Sequence, residues 1–488
     1  MEQELIVRRK KALIKELLEL PSETPWVEFK HNNKDAIKIG RYLSALSNAA
    51  ALFDKPAGYV IWGIEDATHN VIGTNFEPST EKVNSQPLEL WLAKRLLPSI
   101  DFRFEEIIYL DKRLIMLEVP AATSMPVEFE QIAYVRIGEA TPKLSDYPER
   151  LRNLWSKLQS FVWEAAAAAQ FQTGDQVLDK LNYTSYFELT AQRLPDNREG
   201  IFERLVADQI ISPDVGGHWN ITNLGAILFA KQLSSFSPAI ERKAIRFIAH
   251  EGASRADTAF HRTDGTKGYA VGFAGLVEYI NDVLPRNEEI VKAHRVEQPL
   301  YPSIAIRELI ANALIHQDMT ISGAGPMIEL FSDRMEITNP GKPLVNPDRF
   351  LDLPPRSRNE ALASLMRRMK FCEEQGTGID KVLAHVEIHQ LPPPDFRLEG
   401  ESVKVILYAP RSFAQMTPNE RVRACYQHAA LKYISGDRMK NSTLCERFGI
   451  ETSNASQASK VIKQALDENL IKPADPKHPR TGYVPIWA

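Results

Sequence analysis

The sequence predicts a multidomain protein of mixed α/β (α+β) class, built as four consecutive blocks. Three observations carry that prediction. The chain has 488 residues, more than one core of roughly 100–200 residues absorbs. Stretches with apolar residues at helical spacing alternate with short runs rich in β-formers. Turn-forming and proline-rich segments such as "QLPPPDF" punctuate them.

Composition removes several classes. An apolar fraction of 44% with 25% charged residues is that of a globular chain, not a disordered or fibrous one. No apolar run reaches the ~18–20 residues needed to cross a bilayer. The opening "MEQELIVRRKKALIKELLEL" is charged and helical, unlike a secretory leader. Cys372, Cys425 and Cys445 stand far apart, without a CxxC pair, which fits a reducing compartment and no zinc ribbon. The expectation is a cytoplasmic protein with no membrane partner. The net charge of −4 excludes a uniformly basic nucleic-acid coat but not a local patch. Residues 411–488 hold twelve Lys+Arg and seven Asp+Glu, a net of +5, which leaves −9 on the first 410. Bulk attraction to nucleic acid therefore points to the tail.

The first block, 1–150, opens with a helix ending at Pro21. "KDAIKIGRYLSALSNAAALF" continues with helical spacing, and "GYVIWGIED" reads as a strand closed by acids. "RLIMLEVP" and "AYVRIGEATPKL" read as further strands. The second block, 151–232, is helical; its alanine run at 165–169 reads as helix on propensity. "LVADQIISPDVGGHWNIT" follows, with a helix, two short strands and a Gly-Gly turn, a small winged-helix pattern. The third block, 233–410, places strand-like "KAIRFIAH", the long helical "SIAIRELIANALIHQD", strand-like "PMIELFSDRMEITNPG" and a last strand, "VKVILYAP". The fourth, 411–488, reads as a helix over 419–434, a short helix in "NSTLCERFGI" capped by Ser442 or Thr443, a longer helix, and a hairpin-like end.

The strongest chemistry lies in the third block. "RELIANALIHQD" puts Glu308 and Asn312 four residues apart on one helix face. "ITNPG" ends a strand at Asn339 to Gly341. "CEEQGTGIDKVL" then gives a Gly-x-Gly loop, Gly376 and Gly378, that opens a helix. Backbone N–H groups of such a loop approach phosphates closely, and a helix N-terminus favours their charge. His316 lies two turns beyond Glu308 on roughly the same face, either touching a ligand or serving as a capping or buried histidine. Taken singly these are a solvated helix face and a lone glycine pair; their joint order is the signal.

That order resembles the GHKL ATP-binding fold of gyrase, heat-shock chaperones, histidine kinases and MutL, over about residues 300–410. The resemblance implies an α/β sandwich that binds ATP. It implies that Asn312 holds Mg²⁺ against the phosphates, that Glu308 activates water in hydrolysing members, and that the Gly376–Gly378 loop closes a lid. The family's adenine-binding aspartate corresponds to Asn339 here. An asparagine accepts a hydrogen bond but can also donate one, so adenine selectivity is open. No upstream helix offers a phosphoacceptor histidine, which weighs against a histidine kinase.

The first block carries a second signal. "PSETPWVEFK" supplies Glu23, Glu28 and Lys30, and "GIED" supplies Asp66. Converging carboxylates hold hard cations for phosphodiester chemistry, and Lys30 would steady a phosphate. The same acids also serve as partners for Lys30, Arg136 or Lys143. The pattern resembles the Schlafen/AlbA-type domain over about 15–145. In Schlafen nucleases that resemblance implies a Mg²⁺ or Mn²⁺ site of Glu23, Glu28 and Asp66. Asn48 is followed here by Ala-Ala and an insert, "ALFDKPA", where many members show Asn-Thr and Gly-Gly. Trp26 and Tyr134 read as core or rim aromatics, with base stacking as the alternative.

The tail has winged-helix order. In the usual docking mode its last helix enters a DNA major groove and the wing meets phosphate. Lys460, Lys463 and Gln464 lie on the helix's polar face, and Lys477 and Arg480 on the wing. Such modules also bind protein. The whole order resembles bacterial ATP-binding, DNA-binding transcriptional regulators. Two readings follow: a nucleotide-switched DNA- or RNA-binding protein of transcriptional control or defence against foreign DNA, and a metal-dependent nuclease under ATP control. Dimerisation on ATP binding, common in the fold family, makes a homo-oligomer the expectation.

Overall fold

The computed structural model describes residues 2–20, 24–66, 68–123, 125–158, 162–291, 294–353, 356–373, 378–478 and 481–488. Glu23, Gly376 and Arg480 of the candidate residues lie outside them. Two compact units emerge: residues 1–162 with 213–218, and residues 163–212 with 219–488.

The first unit is a four-stranded sheet between two helices. Helix α1 (Glu2–Leu18) precedes β1 (Val27–Lys30), α2 (Ala36–Leu52) and β2 (Ala57–Trp62). Strands β3 (Arg103–Tyr109) and β4 (Lys112–Pro120) form a hairpin, and the sheet order is β1-β2-β4-β3. Strands β1 and β2 run parallel, with Glu28 opposite Val60 and Lys30 opposite Trp62. Side chains alternate faces along a strand. Val60, Trp62, Ile115 and Leu117 therefore join Leu43 and Leu46 of α2. Tyr59, Ile61 and Met116 join Leu13 and Ile14 of α1. Burial on both faces explains why "GYVIW" reads as an unbroken apolar run.

Helix α2 shows why its "LSALSN" segment mixes small polar and apolar residues. Ser44 Oγ donates to Val127 O at 2.6 Å, and Tyr134 N donates to Ser44 Oγ at 2.9 Å. The Asn48 amide donates to Val127 O and Tyr134 O, both at 2.9 Å, and accepts from Val127 N at 2.8 Å. Both side chains are fully buried. They satisfy backbone groups that strand pairing leaves over, because "AYVRIGEATPKL" forms only a two-residue strand end and isolated bridges at Tyr134–Lys143 and Ile137–Ala140 rather than extended strands.

In the second unit the alanine run corrects the helical expectation. Residues Trp163–Ala165 form one 3-10 turn, and Ala167–Gln172 is a strand, β5. It pairs antiparallel with β7 (Trp219–Thr222), whose other neighbour is β6 (Ile211–Pro213). Tertiary pairing overrides alanine's local preference. Helix α3 (Arg198–Ala207) leads into β6.

The main sheet has six strands: β8 (Arg246–His250), β9 (Ala259–Asp264), β10 (Met327–Leu330), β11 (Arg334–Pro340), β12 (Asp395–Glu399) and β13 (Ser402–Tyr408), in the order β9-β8-β10-β11-β13-β12. One face holds Phe247, Ile328, Ile337 and Leu407 against helices α4 (Tyr269–Val283), α5 (Ser303–Ile315), α6 (Glu360–Arg368) and α7 (Gly378–Ile388). The opposite face is charged. Glu336 bonds Arg334 at 2.7 Å and Lys404 at 3.1 Å, and these neighbours hold its carboxyl below the ordinary range against the effect of burial.

The C-terminal block runs α8 (Pro418–Ile434), α9 (Asn441–Phe448), α10 (Ser456–Asp467) and the strand pair β14 (Ile471–Pro473) with β15 (Tyr483–Pro485). Its own core gathers Val422, Leu444, Phe448, Val461 and Ile462. The cap expectation for α9 shifts: Lys440 is the N-cap, and Thr443 Oγ1 accepts from its N–H at 3.0 Å from inside the first turn. Among the described residues no helix is long and apolar enough to cross a membrane.

Candidate nucleotide site and acidic cluster

A cavity of about 830 Å³ opens between the six-stranded sheet, α5, α6 and the start of α7. Helix α5 has a continuous apolar side, Ile306, Leu309, Ile310 and Ala313, packed into the core. Its remaining stripe presents Glu308, Asn312 and His316 to the cavity, one turn apart. Asn339 reaches the same cavity from β11, and Gly378 from the first turn of α7. Glu308, Asn312, His316, Asn339 and Gly378 are thus brought together from a long stretch of sequence. Gly341 is not among the lining residues. Its φ of +110° and its packing on Asp318, where a Cβ would meet Asp318 Cβ at 2.6 Å, serve the turn out of β11.

Each group has a distinct electrostatic setting. Burial, helped by the nearby Glu373 carboxylate, pushes the Glu308 carboxyl above its usual range. Its Oε2 is buried and has no hydrogen-bond partner among the described residues. A Cβ at position 378 would stand 2.9 Å from that oxygen and 3.7 Å from Asn312 Nδ2. Glycine lets the α7 backbone lie against Glu308 and Asn312 without displacing the Glu308 carboxylate. Burial pulls His316 down to about 4, so its imidazole is neutral at pH 7, and the charges of Arg358 and Arg367 act in the same direction. Asp380, in the first turn of α7, is pushed up to about 6 by burial.

The cavity also has a cationic side that none of the sequence motifs covers. Arg356, Arg358 and Arg367 line it, beside Ser357 and Ser364. Arg358 donates to Lys342 O at 2.6 Å. Next to it, Asn359 is buried and donates to Ile315 O and Gln317 O, both at 2.8 Å, tying the start of α6 to the end of α5. Glu164 accepts from the backbone N–H of Leu362 at 2.6 Å and so closes the N-terminus of α6. The basic run "RSRNE" between the NPG and Gly-x-Gly segments was the available signal.

The acidic cluster of the first unit has a different character. Val27 and Phe29 face α1, so Glu28 and Lys30 face the other side of β1. Glu28 is buried and pairs with the fully buried Arg136 and, at 2.8 Å, with Lys30 Nζ. Lys30 Nζ also meets Asp66 Oδ2 at 2.5 Å, while the Asp66 side chain is half exposed. Lys30 thus bridges the two described acids. Among the described residues no group of three metal-ligating side chains converges. Tyr134 is buried, and Trp26 is half-buried beneath Lys55 Nζ, 4.8 Å from its ring centre.

On the tail, Lys460 and Lys463 are exposed on α10 and Lys477 is exposed between the last strands. Gln464 is half-buried and donates to Glu468 at 2.9 Å.

With this geometry in place, two family matches define the class. Residues 23–145 match the Schlafen AlbA_2 family. Residues 323–407 match the HATPase_c_4 family, described as "Putative ATP-dependent DNA helicase recG C-terminal". The protein is a multidomain α/β chain carrying an AlbA_2 domain and an ATPase-like domain. Among solved structures it is similar to the DIP2311 protein from Corynebacterium diphtheriae, at 17% identity over 99% of this chain and 97% of that one, with a TM-score of 0.42. The N-terminal domain of a RecG-related protein from Nitrosomonas europaea is similar at 19% identity over 27% of this chain and 89% of that one, with a TM-score of 0.17. Both likenesses are too distant to add to the geometry. No curated protein matches this chain.

Proposed function

We propose that this protein binds a purine nucleotide with Mg²⁺ in the cavity of the second unit, and that the nucleotide controls its grip on nucleic acid. The observation that carries the reading is the convergence of Glu308, Asn312, His316, Asn339 and Gly378 on one cavity that also presents Arg356, Arg358 and Arg367. The donor set suits the ligand. An orphaned carboxylate oxygen and a neighbouring amide flank a backbone stripped of Cβ, and the arginines offer forked donors to phosphate. Asn312 would hold the cation, which supplies charge neutralisation between phosphates. Glu308, with its raised affinity for a proton, is the group positioned to take one from water in a hydrolysing cycle. Calorimetry with ATP and MgCl₂ tests the assignment: Asn312→Ala should weaken binding at least tenfold, and unchanged affinity would refute it.

The AlbA_2 domain and the tail support a nucleic-acid partner. We read the last three helices and strand pair as a winged helix, and Lys460, Lys463 and Lys477 form no ion pair among the described residues. We read the protein as a cytoplasmic transcriptional regulator or defence factor that acts on DNA or RNA, and as a homo-oligomer when nucleotide is bound. Replacing Lys460 and Lys463 by glutamine should lower DNA affinity uniformly across sequences and reduce the salt slope by about 1 per lost phosphate contact. An unaltered slope would assign the tail to protein partners.

A metal-dependent nuclease is the second reading, favoured by Lys30 drawing Glu28 and Asp66 together. Glu28 is already committed to Arg136, so a cation there must displace Lys30. Incubation of labelled tRNA and DNA with Mn²⁺, with and without ATP, decides it. Cleavage that Asp66→Asn abolishes supports the enzyme, and intact substrate under every metal sinks it.

A further inference from the structure

The cavity floor is a strand surface with one polar side chain. Ile337 and Asn339 come from β11, Phe396 from β12, and Val403 and Val405 from β13. Phe350 packs edge-on against Phe396, with ring centres 5.6 Å apart, so this end is flat, aromatic and apolar. The charged lining groups, Glu308, Glu360, Glu373 and the three arginines, come from the helices and the segments joining them. A ligand with an aromatic ring at one end and phosphates at the other has one orientation here. Its ring lies on the strands, and its polar edge meets Asn339.

Asn339 is 7% exposed. Its backbone belongs to the β11–β13 ladder opposite Val403, while its side-chain amide makes no hydrogen bond to any described residue. The amide edge opens onto the cavity, where a ligand can take up both its donor and its acceptor. No described residue holds the amide by a hydrogen bond in one orientation.

We propose that Asn339 makes this site accept adenine and guanine nucleotides with comparable affinity, an inference that rests on the nucleotide reading above. Adenine presents a donor, its amino group, next to an acceptor, ring N1. Guanine presents an acceptor, O6, next to a donor, the N1–H. An amide offers one donor and one acceptor. Turning it over about its last side-chain bond exchanges them, so either edge finds two complementary bonds. A carboxylate accepts only: it can take two bonds from guanine's N1–H and 2-amino group but only one from adenine's amino group, so it does not serve the two equally. Sites that discriminate strongly do so by leaving a buried polar group unpaired against the wrong ligand, and a reversible amide removes that penalty.

The test uses the full-length chain with MgCl₂ and compares fluorescent N-methylanthraniloyl derivatives of ATP and GTP by titration. The wild-type affinities are expected to lie within about tenfold of each other, and Asn339→Asp is expected to drive them apart by tenfold or more. If neither nucleotide binds, the nucleotide reading itself falls. If one binds more than tenfold better than the other, the reading stands and dual acceptance falls. If Asn339→Asp leaves the two affinities matched, Asn339 is not the discriminating residue. If that variant does not fold, the wild-type ratio decides, and Asn339→Ala, expected to weaken both nucleotides equally, supplies the second measurement.

Discussion

Glu387 Oε2 accepts from His428 Nδ1 at 2.9 Å, which joins the last turn of α7 to the middle of α8. The other oxygen of the same carboxylate stands 3.4 Å from Arg447 Nε, and His428 Nε2 reaches Thr443 Oγ1 at 3.1 Å. Arg447 also donates to Leu391 O at 2.7 Å. The helix that begins at the cavity therefore ends as the anchor of the C-terminal block.

Glu387→Ala should loosen that block selectively. It leaves the Arg447 guanidinium, 2% exposed, without its counter-charge, and such one-sided losses cost about 3 kcal/mol. Hydrogen exchange should accelerate over residues 418–448 while the six-stranded sheet keeps its protection. Equal protection in the variant would show that the anchor lies elsewhere.

Glu308→Gln should stabilise the second unit, and more so at high pH. Burial raises the Glu308 carboxyl, so the fold disfavours its charged form. The penalty is absent below the unfolded-state value of about 4.3, grows as pH rises toward the folded-state value, and is constant above it. The glutamine variant should gain roughly 1 kcal/mol at pH 8, read as a rise in melting temperature, and little at pH 4. An equal gain at both pH values would contradict the sign.

Asn48→Ala should be among the most damaging single changes in the first unit. It removes three hydrogen bonds of 2.8–2.9 Å from a fully buried position. The backbone groups left behind lose their partners, a cost of roughly 1–3 kcal/mol each. Urea unfolding followed by tryptophan fluorescence reports it, since Trp62 and Trp91 both lie in this core. A midpoint equal to that of the wild type would overturn the clasp.

Glu28→Ala and Asp66→Asn should part company. Glu28 neutralises Arg136, which is wholly buried, so its loss costs about 3–5 kcal/mol. Asp66 is 53% exposed, and its amide variant should keep the wild-type melting temperature to within about 1 °C. Loss of nucleic-acid cleavage in Glu28→Ala alone would therefore report unfolding as readily as chemistry. A large melting shift in Asp66→Asn would contradict this division.

What could be read from the sequence followed period and order. The strands "GYVIW" and "RLIMLEVP" and the helices carrying Asn48 and Asn312 were visible because one repeating pattern dominates each. The gathering of Glu308, Asn312 and Asn339 was visible because motif order preserves what the fold brings together. The alanine run was misread, since its state is set by the distant partner Trp219–Thr222 and not by its own propensity. Asn48 stands out in the sequence as part of a motif, but its work is done on carbonyls some eighty residues away. The sequence offers Arg136 as one partner of the acids among several; its burial with Glu28 follows only from the fold. The arginines at 356, 358 and 367 carry no spacing signature, because they come from a connecting segment and a helix.

Helix α7 spans Gly378–Ile388, about 16 Å at 1.5 Å per residue. A rod of that length is a lever arm. A tilt of about 10° at its first turn, where the cavity is, sweeps its far end by about 3 Å. The hydrogen bond at that end is 2.9 Å long, and such bonds do not survive stretching by their own length. The His428 clasp and the Gly378 edge of the cavity are thus gauges on one rod: neither end shifts appreciably without the other registering it.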